Sequence, residues 1–308
     1  QAAKVLLLNS GAVTCMNHIM RTTPTHLISD ALVHYESLIR NLVSDIFGEN
    51  LDDQKWSFAA LPWKMGGHAF RRPTLHAPAA YLSSLLSNRD QILLLNPRCK
   101  SELEKAIQDA VVLFNNVLSR NPSAVPPVTA GPTTKFSQTQ LSKMIDTSEL
   151  DKLMKQADPD FKALIMAQQT SHAWAWKQAP PNSKSKLNLT PDQCRIAGKR
   201  SLRIPIFPEP LDTCPICLKS KPGICDIYGD HIASCKSSGG VVHTHDDVRD
   251  KLLYWIRKAN LNVKKEKEID LKPTKENPNP KWRADLILPN GIPGKIAGTI
   301  VLDVVVTN

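Results

Sequence analysis

The sequence predicts a mixed fold, with a mainly α-helical N-terminal region, a small cysteine-rich module and a partial α/β region at the C-terminal end. Three observations carry this prediction. Apolar residues recur at helical spacing through the first half of the chain, four of the seven cysteines fall within residues 214–235, and short strand-like runs follow residue 260. Helical spacing indicates amphipathic helices, and short β-branched runs indicate strands.

The composition is that of a globular protein with an excess of basic charge. The 308 residues are 42% apolar and 22% charged, with 39 Lys and Arg against 29 Asp and Glu, which excludes wholesale disorder. No run approaches the roughly 18 apolar residues of a membrane helix, and the odd number of cysteines argues against a disulfide scaffold. Because the chain starts at Gln1 and stops at Asn308 inside an apolar run, we expect an internal piece of a longer intracellular polypeptide.

The N-terminal half is expected to be helical. Helices are predicted over 25–47, 76–88, 101–118, 137–157 and 159–177. The clearest of these is 25–47, where apolar residues form a stripe with a period of about 3.6 residues that ends at Gly48. Segments 121–134 and 179–191 are rich in Pro, Ser, Thr or Asn and predict exposed connectors. The pair Gly66-Gly67 predicts a turn with a positive φ and no chemical role.

After the cysteine-rich module the pattern predicts one helix and three strands, in the order αβββ. The helix is predicted over 245–259, and the strands over 261–271, 283–288 and 296–307. The buried side of the helix is expected to hold Val248, Leu252, Leu253, Trp255, Ile256 and Ala259. The last run is β-branched or apolar at nearly every position, which is typical of a central strand.

Four residues of the cysteine-rich module have the spacing of a zinc site. Cys214, Cys217, His231 and Cys235 form the pattern C-x2-C-x13-H-x3-C. Two thiolates from a tight turn, with a His and a Cys from one helical turn, can complete a closed tetrahedral Zn²⁺ site that stabilises a fold and offers no catalytic position. The alternative is a chance cluster of reduced cysteines.

Several neighbours have secondary roles in this prediction. Cys225 is the first substitute ligand, and His243 and His245 are weaker substitutes. The carboxylate of Asp230 is expected to orient the imidazole of the adjacent His231 from outside the ligand set.

Basic charge is concentrated around this module. Residues 184–283 contain 20 basic and 12 acidic residues, so most of the net charge of +10 lies there. This concentration favours binding to the phosphate backbone of nucleic acid, and the alternative is a solvated charged surface. Our candidate nucleic-acid contacts are Arg249, Lys265, Lys267 and Arg283. For Arg249, as for His245, pairing with the neighbouring acids Asp246 and Asp250 is an equal alternative.

Acidic residues in the strand-like runs suggest a second metal site. Asp285 lies in the second strand-like run and Asp303 interrupts the third, where an unpaired carboxylate is costly. Together with Glu268, or Glu266, on the strand before, they could bind Mg²⁺ and activate water for phosphodiester hydrolysis. The alternative for each acid alone is a strand-end cap or a pair with Arg283.

Taken in order, these motifs resemble the C-terminal region of LINE-type (non-LTR) retrotransposon polyproteins. The resemblance rests on the Cys-x2-Cys…Gly-Asp-His-x3-Cys string, then His245-Asp246-x2-Arg249-Asp250, Arg283-Ala284-Asp285 and Leu302-Asp303-Val304. The front half, with Leu61-Pro62-Trp63-Lys64-Met65-Gly66-Gly67 and Ala77-Pro78-Ala79-Ala80-Tyr81-Leu82, is similar to the stretch after the polymerase palm of such proteins, and Ala173-Trp174 to the linker that follows.

The resemblance implies four regions and a role in target-primed insertion. Residues 1–120 would be the helical thumb, 121–205 a helical linker, 206–243 a CCHC zinc knuckle, and 244–308 a partial endonuclease of the PD-(D/E)xK type. The implied partners are target DNA, element RNA and the rest of the same polyprotein, in the nucleus. No Tyr-x-Asp-Asp string is present, so this piece would not synthesise DNA, and the lysine expected two residues after Asp303 is Val305.

Two other functions stay open. One is a non-catalytic nucleic-acid-binding module in which the acids are structural. The other is a zinc-dependent nuclease built on His243, His245 and Asp246, which leaves Asp285 and Asp303 without a role.

Overall fold

The computed structural model describes residues 11, 13–119, 127–129, 131, 135–171, 173–178, 189–217, 220–235, 240–270 and 281–302. For residues 13, 220–224, 240–242, 244, 266–270 and 281–283 it describes the backbone alone. The chain divides into two compact units, Gln1–Pro205 and Ile206–Asn308. The division into four regions stays a prediction.

The described part of the N-terminal unit consists of helices joined by turns and loops, and it contains no strand. Its helices are α1 (Val13–Cys15), α2 (Asn17–Thr22), α3 (Ser29–Phe47), α4 (Asp53–Ala60), α5 (Pro73–Leu95), α6 (Lys100–Leu118), α7 (Gln138–Gln156), α8 (Pro159–Gln168), α9 (Ala175–Gln178) and α10 (Pro191–Ser201). Short 3-10 turns cover Thr25–Leu27, Trp63–Met65 and Pro97–Cys99. The expected mainly helical N-terminal region is therefore confirmed.

Local signals account for where several helices begin and end. Gly48 ends α3 with φ 70°, a left-handed conformation that glycine adopts without steric cost. Ser137 and Gln140 form a capping box at the start of α7, and Thr190 and Gln193 form another at the start of α10. Each box satisfies backbone amides that the first helical turn leaves without a partner.

The described part of the N-terminal unit has three apolar clusters, of which two are large and the third contains Met20, Leu32, Ala77 and Ala80. The first packs the stripe of α3 against Trp56, Phe58 and Phe161. The second packs α5, α6 and α7 around Leu82, Phe114 and Leu141. None of the described helices is both long and apolar enough to cross a membrane.

The predicted turn at Gly66-Gly67 is present and is closed by a buried lysine. Gly66 has φ 90°, and a Cβ on Gly67 would lie 2.1 Å from the carbonyl oxygen of Leu61, so neither position favours a side chain. Lys177 Nζ donates hydrogen bonds to the carbonyl oxygens of Gly66 at 2.6 Å and Gly67 at 3.1 Å, and to Gln168 Oε1 at 2.6 Å. Burial lowers the pKa of Lys177 to about 7.

The C-terminal unit combines a hairpin, two helices and a three-stranded sheet. Its elements are β1 (Leu211–Thr213), β2 (Ser220–Cys225), α11 (Asp230–Ser234), α12 (Gly240–Lys258), β3 (Lys264–Asp270), β4 (Lys281–Leu288) and β5 (Ile300–Leu302). β1 pairs with β2, and β3, β4 and β5 form an antiparallel sheet in that order. The helix followed by three strands agrees with the expected order αβββ.

Two expectations about this unit need correction. The run 296–307 was expected to be a central strand, but in the described sheet β4 lies in the middle and β5 begins only at Ile300. Residues 303–307 of this run lie outside the described part of the chain. On α12 only Leu253 of the expected apolar face is fully buried, whereas Val248, Leu252, Trp255 and Ala259 are exposed. The apolar residues of α12 occupy too wide an arc to face one sheet, and the stripe that is buried runs through Arg249 and Leu253.

Candidate metal centre

The β1–β2 hairpin and the short helix α11 bring four metal-ligating side chains together. Cys214 follows the last residue of β1 and Cys217 lies in the turn after it. His231 lies in α11 and Cys235 directly follows that helix. Gly229 precedes α11 with φ 75°, which lets the chain reverse before the helix begins. The local turn and the single helical turn therefore supply two ligands each.

The four ligand atoms are close enough to share one ion. They all lie within 4.8 Å of one another. The sulfur atoms of Cys214 and Cys235 are 3.9 Å apart, and the sulfur of Cys217 lies 3.5 Å from Nε2 of His231. All seven cysteines are free thiols, so no disulfide competes for these sulfurs. The cluster could hold a metal ion, as the spacing of the sequence predicts.

The hydrogen bonds around Cys214 favour the thiolate that a metal requires. Burial raises the pKa of this thiol, but hydrogen bonds from the backbone amides of Cys217 and Ile216 outweigh it and lower the pKa to about 6. Ligation requires deprotonated cysteine, so Cys214 is prepared for a metal at neutral pH.

Cys225, the expected substitute ligand, is buried beside this group but is not one of the four. Burial and its contact with Cys214 raise the pKa of the Cys225 thiol. The Cys225 thiol therefore ionises less readily than that of Cys214, and it lies in the same buried cluster as the ligands.

A carboxylate that sequence reasoning missed organises the turn before α11. Asp226 accepts backbone N–H hydrogen bonds from Tyr228 at 2.7 Å, Asp230 at 3.1 Å and His231 at 3.4 Å. Burial raises the pKa of Asp226, and these backbone hydrogen bonds outweigh it, so the pKa lies below its usual value. An Asp three residues before a Gly is a typical turn signal and could have identified it.

Asp285, the first predicted catalytic acid, lies in β4 beside helix α12. Its Oδ2 is 3.1 Å from Nε2 of His245, whose other ring nitrogen is 3.2 Å from Oδ1 of Asp246. Hydrogen bonds with Asp246 and then with Asp285 raise the pKa of His245. The sequence suggested His245 and Asp285 as parts of two different candidate sites. In the structure the two side chains belong to one cluster.

The charged cluster continues along α12. Arg249 Nη1 lies 2.8 Å from Oδ1 of Asp246, and its Nε donates to Oδ1 of Asp250 at 3.0 Å. Lys265 Nζ lies 2.8 Å from the same Asp250 oxygen. Arg249 is only 6% exposed, so of the two alternatives for this residue the structure shows the pairing with its acidic neighbours.

The remaining predicted residues are described less fully. Register pairs Glu268 with Arg283 and Lys267 with Ala284, and the side chains of Glu268, Lys267 and Arg283 lie outside the described part of the chain. Asp303 also lies outside the described residues.

Comparison of the chain with protein-family models, with curated proteins and with solved structures gives no match. The function is therefore argued from the residues and their geometry.

Proposed function

We propose that this chain binds nucleic acid as part of a retrotransposon polyprotein, through a module that a structural Zn²⁺ ion organises. The observation that carries the proposal is the convergence of Cys214, Cys217, His231 and Cys235. The proposed partners are target DNA, element RNA and the remainder of the polyprotein, and the proposed setting is the nucleus.

The distances in the cluster fit Zn²⁺. For tetrahedral zinc with Zn–S of about 2.3 Å and Zn–N of about 2.0–2.1 Å, two sulfurs lie about 3.8 Å apart and a sulfur and a nitrogen about 3.6 Å apart. The corresponding distances here are 3.9 Å and 3.5 Å. Three thiolates and an imidazole also match the softer donors that zinc accepts, and they leave no open position for catalysis.

Among the described residues of the module, the buried apolar cluster is small. Its apolar cluster consists of the cysteines themselves with Leu211 and Ile232. Such a small core cannot offset the entropy of ordering the chain, so the free energy of metal binding supplies the folding of the module.

Charge supports nucleic acid as the partner. Residues 184–283 contain 20 basic and 12 acidic residues, and the four clustered ligands lie within this stretch of sequence. Each phosphate that a basic side chain neutralises releases counterions, which favours binding at low salt.

The nuclease part of the proposal rests on the C-terminal helix and strands. A helix followed by three strands presents Asp285 in the middle of the described sheet. Asp285 and Asp303, with Glu268, would hold Mg²⁺, which supplies an activated water for phosphodiester hydrolysis. The chain's own contribution is to hold the carboxylate of Asp285 beside His245.

A second candidate, the non-catalytic binding module, is favoured by one observation. Asp285 already has a hydrogen-bond partner in the imidazole of His245, as an acid in a structural charge cluster does. In this function the acids stabilise the fold, and the cysteine module performs the binding alone.

Nicking assays on the complete polyprotein separate the two candidates. Asp303→Ala and Asp285→Ala are expected to abolish Mg²⁺-dependent nicking of a supercoiled plasmid, and Asp212→Ala, at an exposed acid of β1, is the matched control. Unchanged nicking by both variants would exclude the catalytic assignment. If the wild-type polyprotein binds nucleic acid but does not nick it, the non-catalytic binding module is the supported function.

A further inference from the structure

An exposed aromatic pair lies near the C-terminal end of α12. Tyr254 and Trp255 are 54% and 51% exposed, and their rings meet edge to face with centroids 5.2 Å apart. Lys258 Nζ lies 5.0 Å from the centroid of the Trp255 ring and 5.9 Å from that of Tyr254. We call Tyr254, Trp255 and Lys258 the aromatic patch.

The patch faces away from the sheet on which α12 packs. Leu253 is buried, and at about 100° per residue Trp255 lies roughly 200° around the helix axis from it. Val248 and Leu252 precede Trp255 on the outer side and are exposed as well. A large ring that is half exposed forfeits much of the free energy that its burial would give, so the aromatic patch, with its two rings, has the character of a binding site.

Basic residues predominate in the sequence that follows Asp250 and contains the patch. Residues 251–265 contain five basic residues, Lys251, Arg257, Lys258, Lys264 and Lys265, and no acid. All five are exposed. Arg257 and Lys258 lie in the last turn of α12, where positive charge stabilises the helix dipole. This effect explains the two basic residues but not the exposed aromatic rings beside them.

We propose that the aromatic patch binds single-stranded nucleic acid, with an unpaired base stacked on Trp255 and the adjoining phosphates held by Lys251, Arg257 and Lys258. Rings with an open face next to several cations are what single-strand binders use, because every base offers a π-face and every linkage a negative charge. Lys265 is paired with Asp250, so a protein partner of the patch would have to bring acids to match the other four cations. A duplex does not expose its bases for stacking, so the patch distinguishes single strands from double strands.

This inference deepens the proposed function, on which it rests for the class of polymer, and adds a site apart from the metal centre. On a polyprotein that opens a nicked target, such a site would retain the unpaired strand. The stacking is sequence-tolerant, so the patch adds affinity and confers no recognition of a particular site.

Fluorescence anisotropy with the full chain tests the inference. The probes are fluorescein-labelled dT15, rU15 and a 15-base-pair duplex, and the variants are Trp255→Ala, Trp255→Phe and, as a matched exposed apolar control on the same helix, Leu252→Ala. Because base stacking contributes about 1–3 kcal/mol per base, Trp255→Ala should raise the Kd for dT15 and rU15 by about 5- to 150-fold. Trp255→Phe should retain most of the affinity, Leu252→Ala all of it, and the duplex Kd should not change.

Two results would overturn the inference: wild-type affinity of Trp255→Ala for both single strands, or an equal loss with Leu252→Ala, which would indicate a general apolar docking surface. The variant Cys217→Ser, which removes one of the four metal ligands, shows whether a negative result concerns the aromatic patch alone or the proposed function as well. If Cys217→Ser weakens binding and Trp255→Ala does not, only the patch is excluded. If the wild-type chain binds none of the three probes, the proposed function fails as well.

Discussion

The imidazole of His245 lies between two carboxylates, with Nε2 3.1 Å from Oδ2 of Asp285 and Nδ1 3.2 Å from Oδ1 of Asp246. This arrangement ties helix α12 to strand β4 through one imidazole ring. It also fixes the position of the acid on which the nuclease proposal depends.

The first prediction concerns the charge of His245. Hydrogen bonds with Asp246 and Asp285 raise its pKa above the ordinary value of 6.5, so the imidazolium persists above that pH. Asp246→Asn and Asp285→Asn should each lower this pKa, as read from the pH dependence of the ring-proton NMR signals. His243, an exposed neighbour on the same helix, is the internal control.

The raised pKa has a consequence for stability. Because the folded state holds the proton more tightly than the unfolded state, the stabilisation from His245 is fully present below the unfolded pKa and is lost as pH rises through the folded pKa. An unshifted pKa in the wild-type chain would show that the two hydrogen bonds do not form in solution.

The second prediction concerns Lys177 in the N-terminal unit. Lys177→Met removes the donor that serves the carbonyls of Gly66 and Gly67, so the free energy of unfolding should fall by about 1–3 kcal/mol. Lys64→Met, at an exposed lysine in the same segment, should change it by less than about 0.5 kcal/mol. Urea denaturation followed by circular dichroism measures both.

The effect of Lys177 should also depend on pH. Its folded pKa of about 7 lies below the ordinary value of 10.5, so between these values the unfolded state binds the extra proton. Stability therefore rises with pH across this window, and the difference between wild type and Lys177→Met should grow from pH 7 to pH 9.5. A difference that stays constant would contradict the lowered pKa.

The third prediction separates the metal ligands from the buried thiol beside them. Cys217→Ser should lower the zinc content of the purified chain well below one ion per molecule, because a hydroxyl is a poor substitute for a thiolate ligand. Cys225→Ser is the matched control and should retain one ion, since Cys225 is not one of the four clustered ligands. Elemental analysis after dialysis measures the zinc content. If Cys225→Ser loses its zinc and Cys217→Ser keeps it, Cys225 is a ligand and the assignment is wrong.

The fourth prediction concerns the buried carboxylate of Glu36. Burial raises its pKa, but Arg72, Thr74 and Trp56 outweigh that effect, so the pKa is lowered. Its contribution to stability is therefore present above the unfolded pKa and is lost as pH falls through the folded pKa. Glu36→Gln should reduce the free energy of unfolding at pH 7 and flatten its dependence on pH as the pH falls below 4.5, the ordinary pKa of glutamate. The exposed Glu102→Gln is the control, and an equal effect of both variants would contradict the account.

The parts of this structure that sequence could predict are those encoded locally. The stripe over 25–47 and Gly48 predicted α3 and its end because both signals lie within the helix itself. The spacing of Cys214, Cys217, His231 and Cys235 predicted the cluster because one turn and one short helix carry all four.

The parts that sequence missed depend on contacts between distant residues. Asp285 and His245 lie 40 residues apart, and no local pattern pairs a strand acid with a ring on the preceding helix. Lys177 lies 111 residues from Gly66, whose carbonyl it binds. The exposure of Trp255 was mispredicted because apolarity alone does not tell which stripe of a helix packs on the sheet.

The most direct measurement of the central claim is the salt dependence of DNA binding by the zinc-loaded chain and by the same chain after zinc is removed with a chelator. The account predicts that the logarithm of the association constant falls linearly with the logarithm of salt concentration for the zinc-loaded chain, because phosphates release counterions. It also predicts that chelation weakens binding and that restored zinc recovers it. Binding of equal strength with and without zinc would contradict the claim that the metal-organised module binds nucleic acid.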